Sequence, residues 1–106
     1  MFTLKIMNEF IHSPLWIYDE GGITDEPEFI ANDAKLQDLC NRAEDMFSSY
    51  YVFDSHDEPC WFNSEKEKAE KSKMIELISC IKERLAAIND GSFAVEDKET
   101  ERLKNL

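Results

Sequence analysis

Little in this chain lends itself to catalysis, metal binding or membrane insertion. Histidine occurs twice, at positions 12 and 56, so a histidine-based metal or catalytic constellation has very few residues to draw on. The three cysteines, Cys40, Cys60 and Cys80, are widely spaced, odd in number and free of any Cys-x-x-Cys. That usage speaks against a disulfide framework and fits a reducing cytoplasm. No apolar run approaches the roughly 20 residues that span a bilayer. Lys5 and Glu9 interrupt the apolar residues of Met1–Phe10, so the secretory-signal pattern is absent as well. The one Gly-Gly pair, Gly21-Gly22, follows the acidic pair Asp19-Glu20, which is unsuited to cradling phosphate. There is no internal repeat and no low-complexity segment.

Positive charge is the other shortage. Twelve Lys and Arg stand against 23 Asp and Glu, a net charge of −11. Such a surface repels nucleic acid and anionic membrane and attracts cationic partners. The excess is lopsided: residues 1–60 hold 13 acids and 3 bases, a net of −10, and residues 61–106 hold 10 acids and 9 bases, a net of −1. A face that binds a basic partner is therefore expected mainly from the first 60 residues. Solubility alone is the competing explanation of the acidity.

What is present suffices for one core. With 106 residues, 42% hydrophobic and 11% aromatic, the chain is expected to fold as a single domain over 1–106 without disulfide or metal. Phe2, Leu4 and Ile6 alternate with Thr3 and Lys5, the period of a half-buried strand. Leu15–Tyr18 reads as a second strand, closed by Asp19-Glu20-Gly21-Gly22, and the pair suggests an antiparallel hairpin. Thr24–Glu28 is an acidic loop. Asn32 or Asp33 is placed to cap a helix whose apolar stripe is Leu36, Leu39, Cys40, Ala43, Met46, Phe47 and Tyr50.

Tyr51-Val52-Phe53 either ends that helix or begins an extended stretch, and Asp54–Pro59 reads as a loop. Ser64 and Glu67 have the spacing of a capping box, opening a helix that runs to Asn89, about 39 Å. Its charged first turns are expected to project past the core, because the apolar stripe begins only at Met74 and continues through Leu77, Ile78, Ile81, Leu85 and Ile88. Asn89-Asp90-Gly91 is a helix stop. Phe93 and Val95 mark a short third strand, and Glu99–Leu106 is a polar tail with Leu103 and Leu106 as anchors. Segregated strands and helices predict an α+β fold, a small mostly antiparallel sheet with two main helices packed on one face.

Asp54, His56, Asp57, Glu58 and Cys60 are the one cluster of ligand-competent types, yet their spacing matches no recurring zinc or calcium pattern. Turn formation and surface charge account for the same residues. Cys40 and Cys80 sit on apolar stripes and read as buried core residues rather than nucleophiles. No catalytic residue, metal site or cofactor is assigned, and the chain is not expected to be an enzyme. Aromatic rings beside carboxylates suit a protein interface, where rings supply energy and charges steer. The expected interface consists of Trp16, Tyr18, Asp19, Glu20, Asp25, Glu26, Glu28, Asp54, Asp57, Glu58 and Trp61.

Through the segment Ser49–Asn63 (SYYVFDSHDEPCWFN) and the tail from Asn89 (NDGSFAVEDKETERLKNL), the chain resembles the small acidic immunity proteins of bacterial contact-dependent growth inhibition systems. The resemblance covers size, charge and cytoplasmic character. It implies a tight complex with a cognate toxin domain, often a nuclease, whose active site or substrate surface is blocked. A nuclease presents a basic cleft to phosphates, and an acidic protein complements it. Two other readings compete: an acidic nucleic-acid mimic that inhibits a DNA-binding enzyme, and a small metal-binding domain built on the 54–60 loop. A mimic spaces its carboxylates along an extended surface, whereas here the acids cluster in loops.

Overall fold

The computed structural model describes residues 2–52 and 61–106. It is the expected α+β fold. Strands β1 (Phe2–Ile6), β2 (Leu15–Asp19) and β3 (Gly22–Ile23) are followed by helices α1 (Glu28–Ala31) and α2 (Ala34–Ser48). Strands β4 (Tyr51–Val52) and β5 (Trp61–Phe62), helix α3 (Ser64–Ile88), strand β6 (Phe93–Asp97) and helix α4 (Thr100–Lys104) complete the chain. The main sheet has the order β3-β2-β1-β6, and β4 pairs with β5 in a separate two-stranded sheet.

The strand alternation does what the pattern predicts. Leu4, Ile6, Leu15, Ile17 and Phe93 are buried on one face of the sheet, against the α2 stripe Leu36, Cys40, Ala43 and Phe47 and the α3 stripe Met74, Ile78, Ile81 and Leu85. β1 and β2 form the expected antiparallel hairpin, with Leu4 opposite Ile17. The Asp19–Gly22 stretch does more than end a strand. It is the turn of a second hairpin, in which β3 returns against β2, and Gly22 adopts φ +114°, a conformation that disfavours a side chain. β6 lies parallel to β1, with Leu4 opposite Val95; the intervening helices supply the crossover that a parallel pair requires.

Of the two possible caps for α2, Asp33 is the one used, its carboxylate accepting from the Leu36 amide at 2.8 Å. Arg84 of α3 reaches the same carboxylate at 2.6 Å and holds it well below the usual carboxylate range. Tyr51-Val52 is extended rather than helical.

The start of α3 departs from expectation. Asn63 caps it, its side chain accepting from the Lys66 amide at 3.0 Å, and Ser64 is already inside the helix. Glu67 is free of the capping role and is 3% exposed, because α4 lies across these turns instead of leaving them to project into solvent. Arg102 of α4 spans Glu67 at 2.8 Å and Glu99 at 2.8 Å. Both carboxylates are buried, and that double pairing raises the Arg102 pKa. Lys71 adds a bond to the Leu106 carbonyl at 2.9 Å. Leu103 is fully buried as the anchor of the tail. Cys40 is buried as expected, and burial pushes its thiol up to about 12; Cys80 is only half-buried, in a shallow groove between α2 and α3. Among the described residues no helix is long and apolar enough to cross a membrane.

Candidate functional site: the open face and acidic edge of the sheet

Both main helices pack on one face, so among the described residues no helix lies over the other face of the four-stranded sheet. The strand registers set its side chains in two rows. Ile23, Tyr18, Thr3 and Ala94 lie across the strands in one, and Trp16, Lys5 and Glu96 in the next. Directly paired residues project to the same side, so Trp16 and Tyr18, predicted as anchors from sequence, share this face. Ile23 is 69% exposed there. Lys5 carries its ammonium 4.7 Å above the Tyr18 ring, an arrangement in which the cation meets the negative face of the ring.

Trp16 is held rigidly. Its indole Nε1 donates to the Met7 carbonyl at 2.9 Å, and the His12 ring stacks on it at 4.0 Å with an interplanar angle of 10°. The indole separates two hollows. One, about 280 Å³, opens beside β2 where β3 stops short and is bordered by Ile23, Asp25 and Glu26. The other, about 520 Å³, runs toward Asn8, Phe47 and Arg102. A fixed ring between hollows suits a binding anchor, since little side-chain freedom remains to be lost on association.

Four acidic residues of the first loops flank β3, and a fifth, Glu28, stands on α1, whose Phe29 packs against Phe2 and Phe93. Asp19 and Glu20 form the hairpin turn, where Asp19 accepts from the Gly21 amide at 2.7 Å and both residues border a hollow next to Phe2. Asp25 and Glu26 follow β3, with Gln37 reaching Glu26 at 3.3 Å, and Glu28 opens α1. All five are exposed. Among the described residues the ion pairs are made by other acids, namely Asp33, Asp38, Glu67, Glu96, Asp97 and Glu99.

The structure therefore brings together six of the eleven residues predicted from sequence, Trp16, Tyr18, Asp19, Glu20, Asp25 and Glu26, while Glu28 stands on α1. Trp61 does not join them. It is exposed (49%) but belongs to the two-stranded sheet, opposite Val52. Asp54, Asp57 and Glu58, with His56 and Cys60 of the ligand-competent cluster, lie outside the described residues. Among the described residues no group of three or more His, Cys, Asp or Glu side chains is placed to hold a metal ion.

Sequence reasoning missed Lys5, His12 and Ile23. Alternation along β1 was sufficient to put Lys5 on the Trp16 face, but Ile23 required knowing that the chain pairs again after Gly22, and the His12 stack arises from the connection between β1 and β2. The chain matches no family model, no curated protein and no solved structure, so its function is read from the chemistry of this face.

Proposed function

We propose that this chain is an immunity protein, acting in the cytoplasm, that binds and neutralises a cognate basic toxin domain of a contact-dependent growth inhibition effector, a nuclease being the best-fitting type. It acts by binding and performs no catalysis. The observation that carries the reading is the company of four exposed carboxylates, Asp19, Glu20, Asp25 and Glu26, which make no ion pair among the described residues, beside a sheet face that no described helix covers and that bears Trp16, Tyr18 and Ile23. Carboxylates without an internal cation are solvated and available to a cationic surface, at a cost mainly of desolvation. The rings beside them supply apolar area that a flat electrostatic contact lacks. A nuclease cleft, built to neutralise phosphates, offers the complementary charge.

The test is neutralisation. The toxin domain encoded immediately upstream of this chain's gene should lose its nuclease activity on titration with this protein, with an end point at equimolar protein. A neighbouring gene of unrelated kind, or a toxin that stays active in excess protein, contradicts the proposal.

A further inference from the structure

We propose that a second copy of this chain docks along the outer edge of β6, joining two four-stranded sheets into one continuous sheet across a two-fold axis. β6 is the last strand of the sheet order. Its ladder to β1 begins with the Phe2 amide on the Ser92 carbonyl at 3.0 Å and ends with the Lys98 amide on the Ile6 carbonyl at 3.0 Å. In a parallel ladder of that register, residues 92, 94, 96 and 98 turn their backbone groups toward β1. Phe93, Val95 and Asp97 turn theirs outward. One of those groups is partly engaged, since Asn89 Nδ2 donates to the Phe93 carbonyl at 3.0 Å. That oxygen keeps a second lone pair. Among the described residues the Val95 amide and carbonyl and the Asp97 amide have no partner and form an open edge, a ready template for another strand. A hollow of about 340 Å³ bordered by Lys82, Ala86, Asn89, Val95 and Asp97 runs beside it, so the neighbouring helix does not close the approach.

Charge selects the occupant. The chain is strongly acidic overall, but residues 61–106 carry only −1, and the acids at this edge are answered from within. Asp97 pairs with Lys82 at 3.1 Å and Glu96 with Lys98 at 3.6 Å. A second copy therefore meets little repulsion at this edge, and a basic partner is drawn instead to the carboxylates of the β3 side. Antiparallel pairing centred on Val95 is also self-compatible. Val95 faces Val95, Phe93 faces Asp97, and Ala94 faces Glu96 of the other copy, so no like charges stand directly opposite. Such a contact is isologous and closes on itself, as a two-fold requires. The opposite edge cannot serve, because β3 has two residues and the same alternation leaves only Ile23 turned outward.

Sedimentation of the purified chain over a concentration series tests the proposal. A species of twice 12.4 kDa should grow with concentration. Val95→Pro removes an amide that donates no hydrogen bond among the described residues, and should raise the dimer dissociation constant at least roughly tenfold, as expected for the loss of the central strand bonds. Should that variant fail to fold, Ala94 supplies the second arm, since its side chain is on the open face. Ala94→Glu, placed opposite Glu96 of the other copy, should weaken the dimer about threefold or more, and Ala94→Lys should strengthen it. A chain that stays monomeric to about 1 mM, a dimer indifferent to Val95→Pro, or two Ala94 variants that shift the equilibrium in the same sense would overturn it. Toxin neutralisation by Val95→Pro should stay unchanged, so the two proposals fail separately.

Discussion

The two edges of the main sheet handle negative charge in opposite ways. On the β3 side, Asp19, Glu20, Asp25 and Glu26 are exposed and take no part in the ion pairs made among the described residues. On the β6 side and in the tail after it, Glu96, Asp97 and Glu99 each meet a lysine or arginine, and Arg102 also reaches the buried Glu67. The same residue types do different work according to whether a cation is supplied from within. Paired acids fasten α4 and β6 to α3. Unpaired acids contribute little to the fold and project a field outward, where only another molecule can answer it.

The sharpest way to break this contrast is to remove a cation from the paired side. Arg102→Ala leaves Glu67 and Glu99 buried without a partner. Unfolding in urea should show a loss of about 3 kcal/mol, the low end for a broken buried pair because the guanidinium is itself 40% exposed. The mirror experiment, Glu20→Ala on the unpaired side, should stay within about 0.5 kcal/mol. Equal losses from the two would erase the distinction.

Next in size is the anchor. Trp16→Ala should weaken toxin binding by about 2 kcal/mol, nearly independent of salt. Trp61→Ala sharpens the comparison, because Trp61 is exposed on the other sheet. A larger loss in titration calorimetry from Trp61 than from Trp16 would move the interface to the two-stranded sheet.

A smaller effect separates capping from charge at Asp33. Asp33→Ala should cost about 1 kcal/mol of stability through the lost N-cap. Asp33→Asn retains the oxygen that caps Leu36 but loses the charge and the second oxygen, the one that accepts from Arg84 Nη2. The folded-state pKa of Asp33 is lowered, chiefly by its hydrogen bonds from Arg84. Asp97 is lowered too: burial pushes it up, but bonds from Thr100 and Glu99 and the Lys82 ammonium outweigh that. A carboxylate with a depressed folded pKa contributes stability that is complete above its unfolded value, about 3.9, and is lost as pH falls through the folded value. Urea unfolding between neutral pH and pH 3 should therefore show acid destabilisation, and Asp33→Asn should flatten part of it. An unchanged acid slope in Asp33→Asn would mean that the charge on Asp33 is not what Arg84 reads.

Much of this architecture was legible in the sequence because it is local. The alternation of Phe2–Ile6, the three- and four-residue intervals from Leu36 to Phe47, and Gly91 after the last turn of α3 each encode their own element. The failures are where a local signal had two solutions or none. Asn63 and Ser64 are both good caps, and the spacing to Glu67 favoured the wrong one, because nothing near Glu67 announces that Arg102, thirty-five residues on, will bury and neutralise it. The parallel seating of β6 on β1 is likewise a long-range outcome. For the site, composition placed the acids and alternation placed Trp16 with Tyr18, but the separate sheet that carries Trp61 depends on pairing across the chain between Val52 and Trp61.

The central claim, that the unpaired carboxylates of the β3 side guide a basic partner onto the open face, is tested most directly by association kinetics across a salt series. Asp19→Lys with Glu20→Lys in one variant should slow association with the toxin domain roughly tenfold at low ionic strength, in keeping with electrostatic steering, and the difference from the native chain should shrink as salt screens it. An association rate that the reversal leaves unchanged, combined with loss of binding when Glu65 or Glu70 is reversed, would contradict the account and place the partner on α3.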